Sequence, residues 1–147
     1  MIDELDELIL KELRKDCRMS YRKIAEKLKV ATGTVQNRIQ KMEREKVING
    51  YHADLDYSKL GYNISAIVAM CLSRDELKEI EEKLGKNPNV FGIFEVTGEF
   101  DIFISVRFKK MEELNKFIRE ELKHPGITKT VTFVVLNTKK EAHTFIE

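Results

Sequence analysis

Apolar residues recur at intervals of three and four along the first third of the chain, then switch to intervals of two. Leu5, Leu8, Ile9 and Leu13 fall on one side of a helix predicted over residues 3–16. Asp3 suits its N-cap, and Glu4, Asp6 and Glu7 suit the positive end of its dipole. Ser20 opens a second helix reaching residue 28, with Ile24, Ala25 and Leu28 on one face. A short turn leads to a third helix over 32–45, whose inward stripe is Val35, Ile39 and Met42. Its other face carries Thr34, Gln36, Asn37, Arg38, Gln40, Lys41 and Arg44. Three short helices with a tight turn between the last two are the layout of a helix-turn-helix.

Residues 47–57 alternate and contain Asn49-Gly50, a turn signal, and read as a wing or linking strand. Leu60-Gly61-Tyr62 marks a boundary. A strongly apolar strand over 64–72 follows, and Ser73-Arg74-Asp75-Glu76 has the form of a capping box. The helix it opens carries Leu77, Ile80 and Leu84 and closes over 85–88. Strands over 90–97 and 102–108 are joined by Gly98-Glu99-Phe100-Asp101. A helix over 111–123 buries Leu114, Phe117, Ile118 and Leu122, and His124-Pro125-Gly126 ends it. Residues 128–136 form the last strand, with 137–147 as a candidate for one more. The order strand-helix-strand, twice, is the ferredoxin-like βαββαβ pattern. The expected class is α+β: a winged helix-turn-helix over 1–50, a linker strand or hinge over 51–62, and a ferredoxin-like domain over 63–147.

Composition narrows the classes. Apolar residues make up 42% and charged residues 35%, too apolar for a disordered chain. No apolar run nears the ~20 residues that span a bilayer, so no membrane partner is expected. The acidic start is not a signal peptide, which places the protein in the cytoplasm. Cys17 and Cys71 lie far apart, form no CxxC, and read as small apolar residues without metal or cofactor. The net charge is only +1, but eleven basic residues against four acidic ones crowd into 14–46. Such a concentration is expected of a surface that faces phosphates, and also of a solvated helical face.

A helix fits the major groove of duplex DNA, and its N-terminal outward residues reach the base edges. That singles out Thr34, Gln36, Asn37 and Arg38, with Gln40 and Lys41 further along. Gln and Asn make paired hydrogen bonds to adenine and Arg to guanine, whereas uncharged amides add little non-specific attraction. Arg18, Arg22, Lys23, Lys29 and Arg44 suit phosphates, which position without reading sequence. The plainer alternative is that Gln36, Asn37 and Gln40 only solvate a helix.

The runs LDELILKEL, SYRKIAEKL and TVQNRIQKMEREKVINGY, in this order and spacing, resemble the Lrp/AsnC family of bacterial and archaeal regulators. The later GEFD between two strands resembles that family's sensing module, the RAM domain. The resemblance spans nearly the whole chain. Three positions depart from the family's habit: Lys29 where glycine is frequent in the interhelical turn, Ala31 where serine precedes the recognition helix, and Lys46 where glycine precedes Val-Ile. Lys29 and Lys46 then carry backbone strain or shift the turn, and Thr32 is expected to cap the third helix one position later.

The resemblance implies a sequence-specific transcriptional regulator that binds double-stranded DNA as a homodimer, with an octamer as a further assembly. It implies a free amino-acid effector near Gly98, Glu99, Phe100 and Asp101, at a subunit interface. Backbone amides of a glycine turn hold a carboxylate, Asp101 meets an ammonium, and Thr130 and Thr132 offer hydroxyls. The same GEFD also reads as a tight hairpin alone. Independently of the family, the strand over 64–72 is apolar on both faces except for Ser65. One face packs on helices, and the other needs a cover, from a partner's sheet or from the C-terminal segment or a loop.

Rival classes fit less well. The third strand lacks the basic-Gly-aromatic signature of an RNA-recognition motif. His52, His124 and His143 are scattered, and no nucleophile elbow or phosphate loop appears, so no enzyme is expected. His52 reads as a wing surface residue and His124 as a cap of the helix end. The remaining alternative is an architectural, chromatin-like DNA-binding protein with no effector.

Overall fold

The computed structural model describes residues 2–73 and 77–141. Two compact units emerge, one carrying the residues up to Asp54 with Lys140 and Glu141, the other Leu55–Lys139.

The first unit is helical. Helix α1 (Glu4–Lys15) starts at Asp3, whose carboxylate accepts the Asp6 N–H, while the Asp6 carboxylate accepts the Asp3 N–H. This reciprocal pair satisfies two of the donors that every helix start leaves open. Helix α2 (Tyr21–Leu28) begins at Ser20, whose hydroxyl accepts the Lys23 N–H. It ends at Lys29, in the left-handed region at φ 56°. Helix α3 (Thr32–Arg44) follows after two residues. Ile9, Leu13, Ile24, Ala25, Val35, Ile39 and Met42 close one buried cluster among the three helices.

Two expectations change here. Ala31, not Thr32, occupies the N-cap of α3, with no side-chain hydrogen bond, and Thr32 is the first helical residue. The helix therefore starts without a hydroxyl cap and its register is not displaced. Packing of Val35 and Ile39 decides the start, since a cap is worth only ~1 kcal/mol. Second, no strand forms over 47–57, and the chain turns at Glu45 and Lys46 (φ 59°) rather than at Asn49-Gly50. A strand needs a neighbour to satisfy its backbone, and the described residues of this unit offer none. Both lysines thus accept the left-handed conformation instead of shifting the turn.

The second unit contains β1 (Ile64–Leu72), α4 (Leu77–Gly85), β2 (Val90–Glu95), β3 (Ile102–Phe108), α5 (Met111–Glu120) and β4 (Ile127–Val134). The sheet is fully antiparallel in the order β2-β3-β1-β4, the ferredoxin-like arrangement. The expected capping box at 73–76 runs into residues 74–76, and the extra strand runs into residues 142–147, which include His143; both stretches lie outside the described residues. Residues 137–141 form no strand. Helix α5 stops three residues early, and the His124 Nδ1 accepts the Gly126 N–H in the turn beyond it.

The sheet's two faces differ. Ala66, Val68 and Met70 pair with Val106, Ile104 and Ile102, and all six are buried with Ile80, Leu84, Leu114 and Phe117 of the helices. The alternate positions form rows on the other face: Phe94, Phe103, Ala69, Val131 in one, and Gly92, Ser105, Ile67, Phe133 in the next. That face keeps Phe94 at 56% and Phe133 at 51% exposure.

Candidate functional site

The outward side of α3 is set by what lies beneath it. Val35, Ile39 and Met42 are fully buried and fix which side of the helix faces inward. Gln36, Asn37, Gln40 and Arg44 are consequently exposed, while Thr34, Arg38 and Lys41 are half-buried along the flank. The carboxamides of Gln36, Asn37 and Gln40 thus stand together on one wet surface. On α2, Arg22 is exposed and pairs with Glu26 at 2.9 Å, a surface pair of little worth that phosphate can displace. Arg18, Lys23 and Lys29 are exposed as well.

Arg38 has protein partners. Its Nη1 donates to Asp3 and lies 3.3 Å from both oxygens of Asp6, a carboxylate with no exposed surface. The hydrogen bond from Arg38 lowers the pKa of Asp3, and Asp3 in turn raises that of Arg38. A second ion-pair group ties α1 to α2: Glu12 accepts from Lys15 at 2.5 Å and from Lys27 at 2.6 Å. These two donors, Lys15 first, bring Glu12 from 4.5 down to about 2. After α3, the Tyr51 hydroxyl donates to Glu43 at 2.8 Å, and burial followed by that carboxylate pushes the phenol up. Lys15 stands one turn from Glu12 on the same helix, but the links from Lys27, Tyr51 and Arg38 join residues 8 to 35 apart, and such pairs have no periodic signal in the sequence.

The Gly98–Asp101 loop lies at one end of the sheet. Gly98 sits at φ 124° with open space where a Cβ would be. Asp101 Oδ2 accepts the Leu72 N–H at 2.7 Å, and the Asp101 N–H donates to Met70, so the loop is pinned to β1. Glu99 pairs with Lys129 at 2.6 Å, and the Lys129 ammonium stands 4.9 Å from the Phe100 ring. Phe100 meets Phe103 edge-on, and the Cys71 thiol donates to the Glu99 carbonyl. The loop therefore gathers Lys129, Cys71 and Phe103, none of them assigned to it from the sequence. Thr130 and Thr132 pair with Met70 and Val68, which puts them on the helix-bearing face of the sheet, away from Phe100.

Among the described residues no cluster of His, Cys, Asp and Glu could hold a metal, and no helix is long and apolar enough to cross a membrane.

The AsnC-type helix-turn-helix domain matches residues 2–43, and the Lrp/AsnC ligand binding domain matches residues 65–145. The chain belongs to the Lrp/AsnC family. An uncharacterized HTH-type transcriptional regulator of Pyrococcus abyssi is 43% identical over 141 residues, 96% of either chain. The HTH-type transcriptional regulator FL11 of Pyrococcus horikoshii is 33% identical over 95% of this chain and 93% of its own. The structure of E. coli AsnC superposes with a TM-score of 0.90 at 26% identity, covering 98% of each chain. A transcriptional regulator of Neisseria meningitidis, solved as a complex with L-Met, shares the fold with a TM-score of 0.92 at 21% identity, over 99% and 97% of the chains. This Lrp/AsnC protein is thus a transcriptional regulator with a helix-turn-helix and a ligand-binding domain, of a family of DNA-binding regulators and not of enzymes.

Proposed function

We propose that this regulator reads specific duplex sites through α3, assembles as a homodimer through the open faces of its sheets, and answers to an amino acid at the Gly98–Asp101 loop. The observation that carries the reading is the polar outer side of α3, held by a buried apolar stripe. Gln36, Asn37 and Gln40 suit base edges, with Thr34 and Lys41 at the margin, while Arg22 and Arg44 suit phosphates. Arg38 belongs to the same surface, with its guanidinium held by α1. This reading places the protein in the cytoplasm with its DNA.

The dimer is supported by Phe94, Phe133 and Ile67, an uncovered apolar face that a second sheet would bury. The segment over 47–57 would find in that second subunit the strand partner it lacks here. The effector is supported by a loop that presents the cation Lys129 and the carboxylates Glu99 and Asp101 around an open glycine, a set able to take both ends of a zwitterion. The likeness to a regulator solved with L-Met supports the ligand class.

Selection of duplexes from a random pool, followed by affinity measurement on selected and scrambled DNA at fixed salt, tests the reading. A large specificity ratio is expected. Equal affinities with a steep salt slope would favour the architectural alternative, and no binding at low salt would remove the DNA reading. Titration calorimetry with the twenty amino acids tests the effector, and silence from all of them would discard it.

A further inference from the structure

On its surface, Arg38 looks like a reader of guanine: it lies on the outward flank of α3, one residue beyond Asn37. Its neighbours argue otherwise. Asp6 is wholly buried in the first turn of α1, and its carboxylate accepts hydrogen bonds from the Asp3 N–H and from Arg38. A carboxylate removed from water is tolerable only while a cation and hydrogen bonds hold it. Should the guanidinium swing out to a base, Asp6 would be left buried with its cation gone. The same movement would strip Asp3, which caps the helix and accepts from Arg38 as well. Leaving home is therefore opposed twice. The positive charge is, moreover, already neutralised by a first turn that holds Asp3, Glu4, Asp6 and Glu7, so Arg38 adds little field toward phosphates.

We infer that Arg38 stays on Asp3 and Asp6 when DNA is bound, and acts as a positioning residue that sets the rotation of α3 against α1. The apolar stripe of Val35, Ile39 and Met42 fixes which side of α3 faces inward, but apolar packing is non-directional and tolerates small rolls. A charge-assisted contact to two carboxylates joined in one capping box has a direction. It holds α3 on one flank, so that Gln36, Asn37 and Gln40 meet the bases in a single phase. Asp6 is then a determinant of specificity although it cannot touch DNA. Glu12 with Lys27 holds α2 on α1 by the same device, which makes α1 the frame on which both halves of the helix-turn-helix are aligned.

The inference rests on DNA binding through α3, and the experiment separates the two. Full-length protein is assayed on its selected duplex and on scrambled DNA, with Arg38→Ala, Asp6→Asn and the double variant beside the wild type, and with unfolding midpoints measured for each. Arg38→Ala and Asp6→Asn are expected to lower the ratio of specific to non-specific affinity by a similar factor, about tenfold. The double variant should fall no further than either single one, and the preferred base at each position should stay the same. Loss of preference at one base pair in Arg38→Ala, with Asp6→Asn retaining the full ratio, would show that Arg38 reads a base and would overturn the inference. Losses that multiply in the double variant would overturn it too. If Asp6→Asn does not fold, Asp3→Asn takes its place, since asparagine still caps the helix and only the charge facing Arg38 is lost. A reduced ratio supports positioning, and an unchanged ratio beside a relaxed base in Arg38→Ala refutes it. Wild-type protein that ignores every duplex would end the DNA reading itself.

Discussion

Two surfaces of this protein are left uncovered by their own unit, and their chemistry is opposite. The outer side of α3 is a row of amides and cations over a buried stripe; the outer side of the sheet is a field of phenylalanine and aliphatic groups. The first is content in water and has to be attracted away from it, by charge and by hydrogen bonds of matching geometry. The second loses free energy for every square ångström it exposes, ~25 cal/mol per Å². A polar face serves a partner that comes and goes, such as nucleic acid. An apolar one of this extent asks for a lasting cover.

Five changes break or sharpen that contrast. Ile39→Ala empties the centre of the helical cluster and is expected to cost about 3 kcal/mol in unfolding experiments, removing DNA binding while self-association survives. If both were lost together, the units would not be independent in energy. Phe94→Asp puts a charge on the apolar face, and should weaken self-association by about 2–3 kcal/mol, visible in sedimentation, with DNA contact of the separated subunit spared on the helix side. Assembly that ignores this substitution would show that the phenylalanine face is not the contact. Gln36→Ala is smaller, about 1–2 kcal/mol on the selected duplex and near nothing on scrambled DNA; equal losses would mean that the amides do not read bases.

Acid provides the next test, directed at the helical unit alone. Glu12 sits at about 2 in the fold against 4.5 without partners, because Lys15 and Lys27 bind its ionised form. Its contribution is complete above about pH 4.5 and disappears as the pH falls toward 2. Glu12→Gln should flatten the loss of helical stability across that window, and a variant titrating like the wild type would contradict the assignment. The smallest effect is a gain: Lys29→Gly relieves a left-handed lysine and should stabilise the same unit by about 1 kcal/mol in denaturant.

Much of this was readable beforehand. The spacing of Ile24, Val35, Ile39 and Met42 announces the helices, Asp3 and Ser20 mark where two of them begin, and the apolar run of β1 with the strand-helix-strand order behind it announces the sheet. The candidate reading surface was visible for the same reason, since a residue opposite a buried stripe is exposed. Other features were hidden. Nothing local in Ala31-Thr32 indicates that packing, rather than a hydroxyl, chooses the helix start. The strand expected over 47–57 alternates well but has no neighbour in its unit to pair with. Lys129 and Cys71 join the Gly98–Asp101 loop, and Thr130 and Thr132 leave it, through a β1–β4 register that depends on strands more than fifty residues apart.

Periodicity, charge placement and end signals are properties of neighbours in the chain, and they determined here which segments are helices and strands, in what order, and which of their sides seek water. Pairing across distance is not such a property. That Arg38 rests on Asp3 and Asp6, that Lys27 reaches Glu12, and that Ile67, Phe94 and Phe133 share an exposed part of the sheet were decided only when the backbone closed. Coulomb attraction and burial act through space, and space between remote residues exists only in the fold.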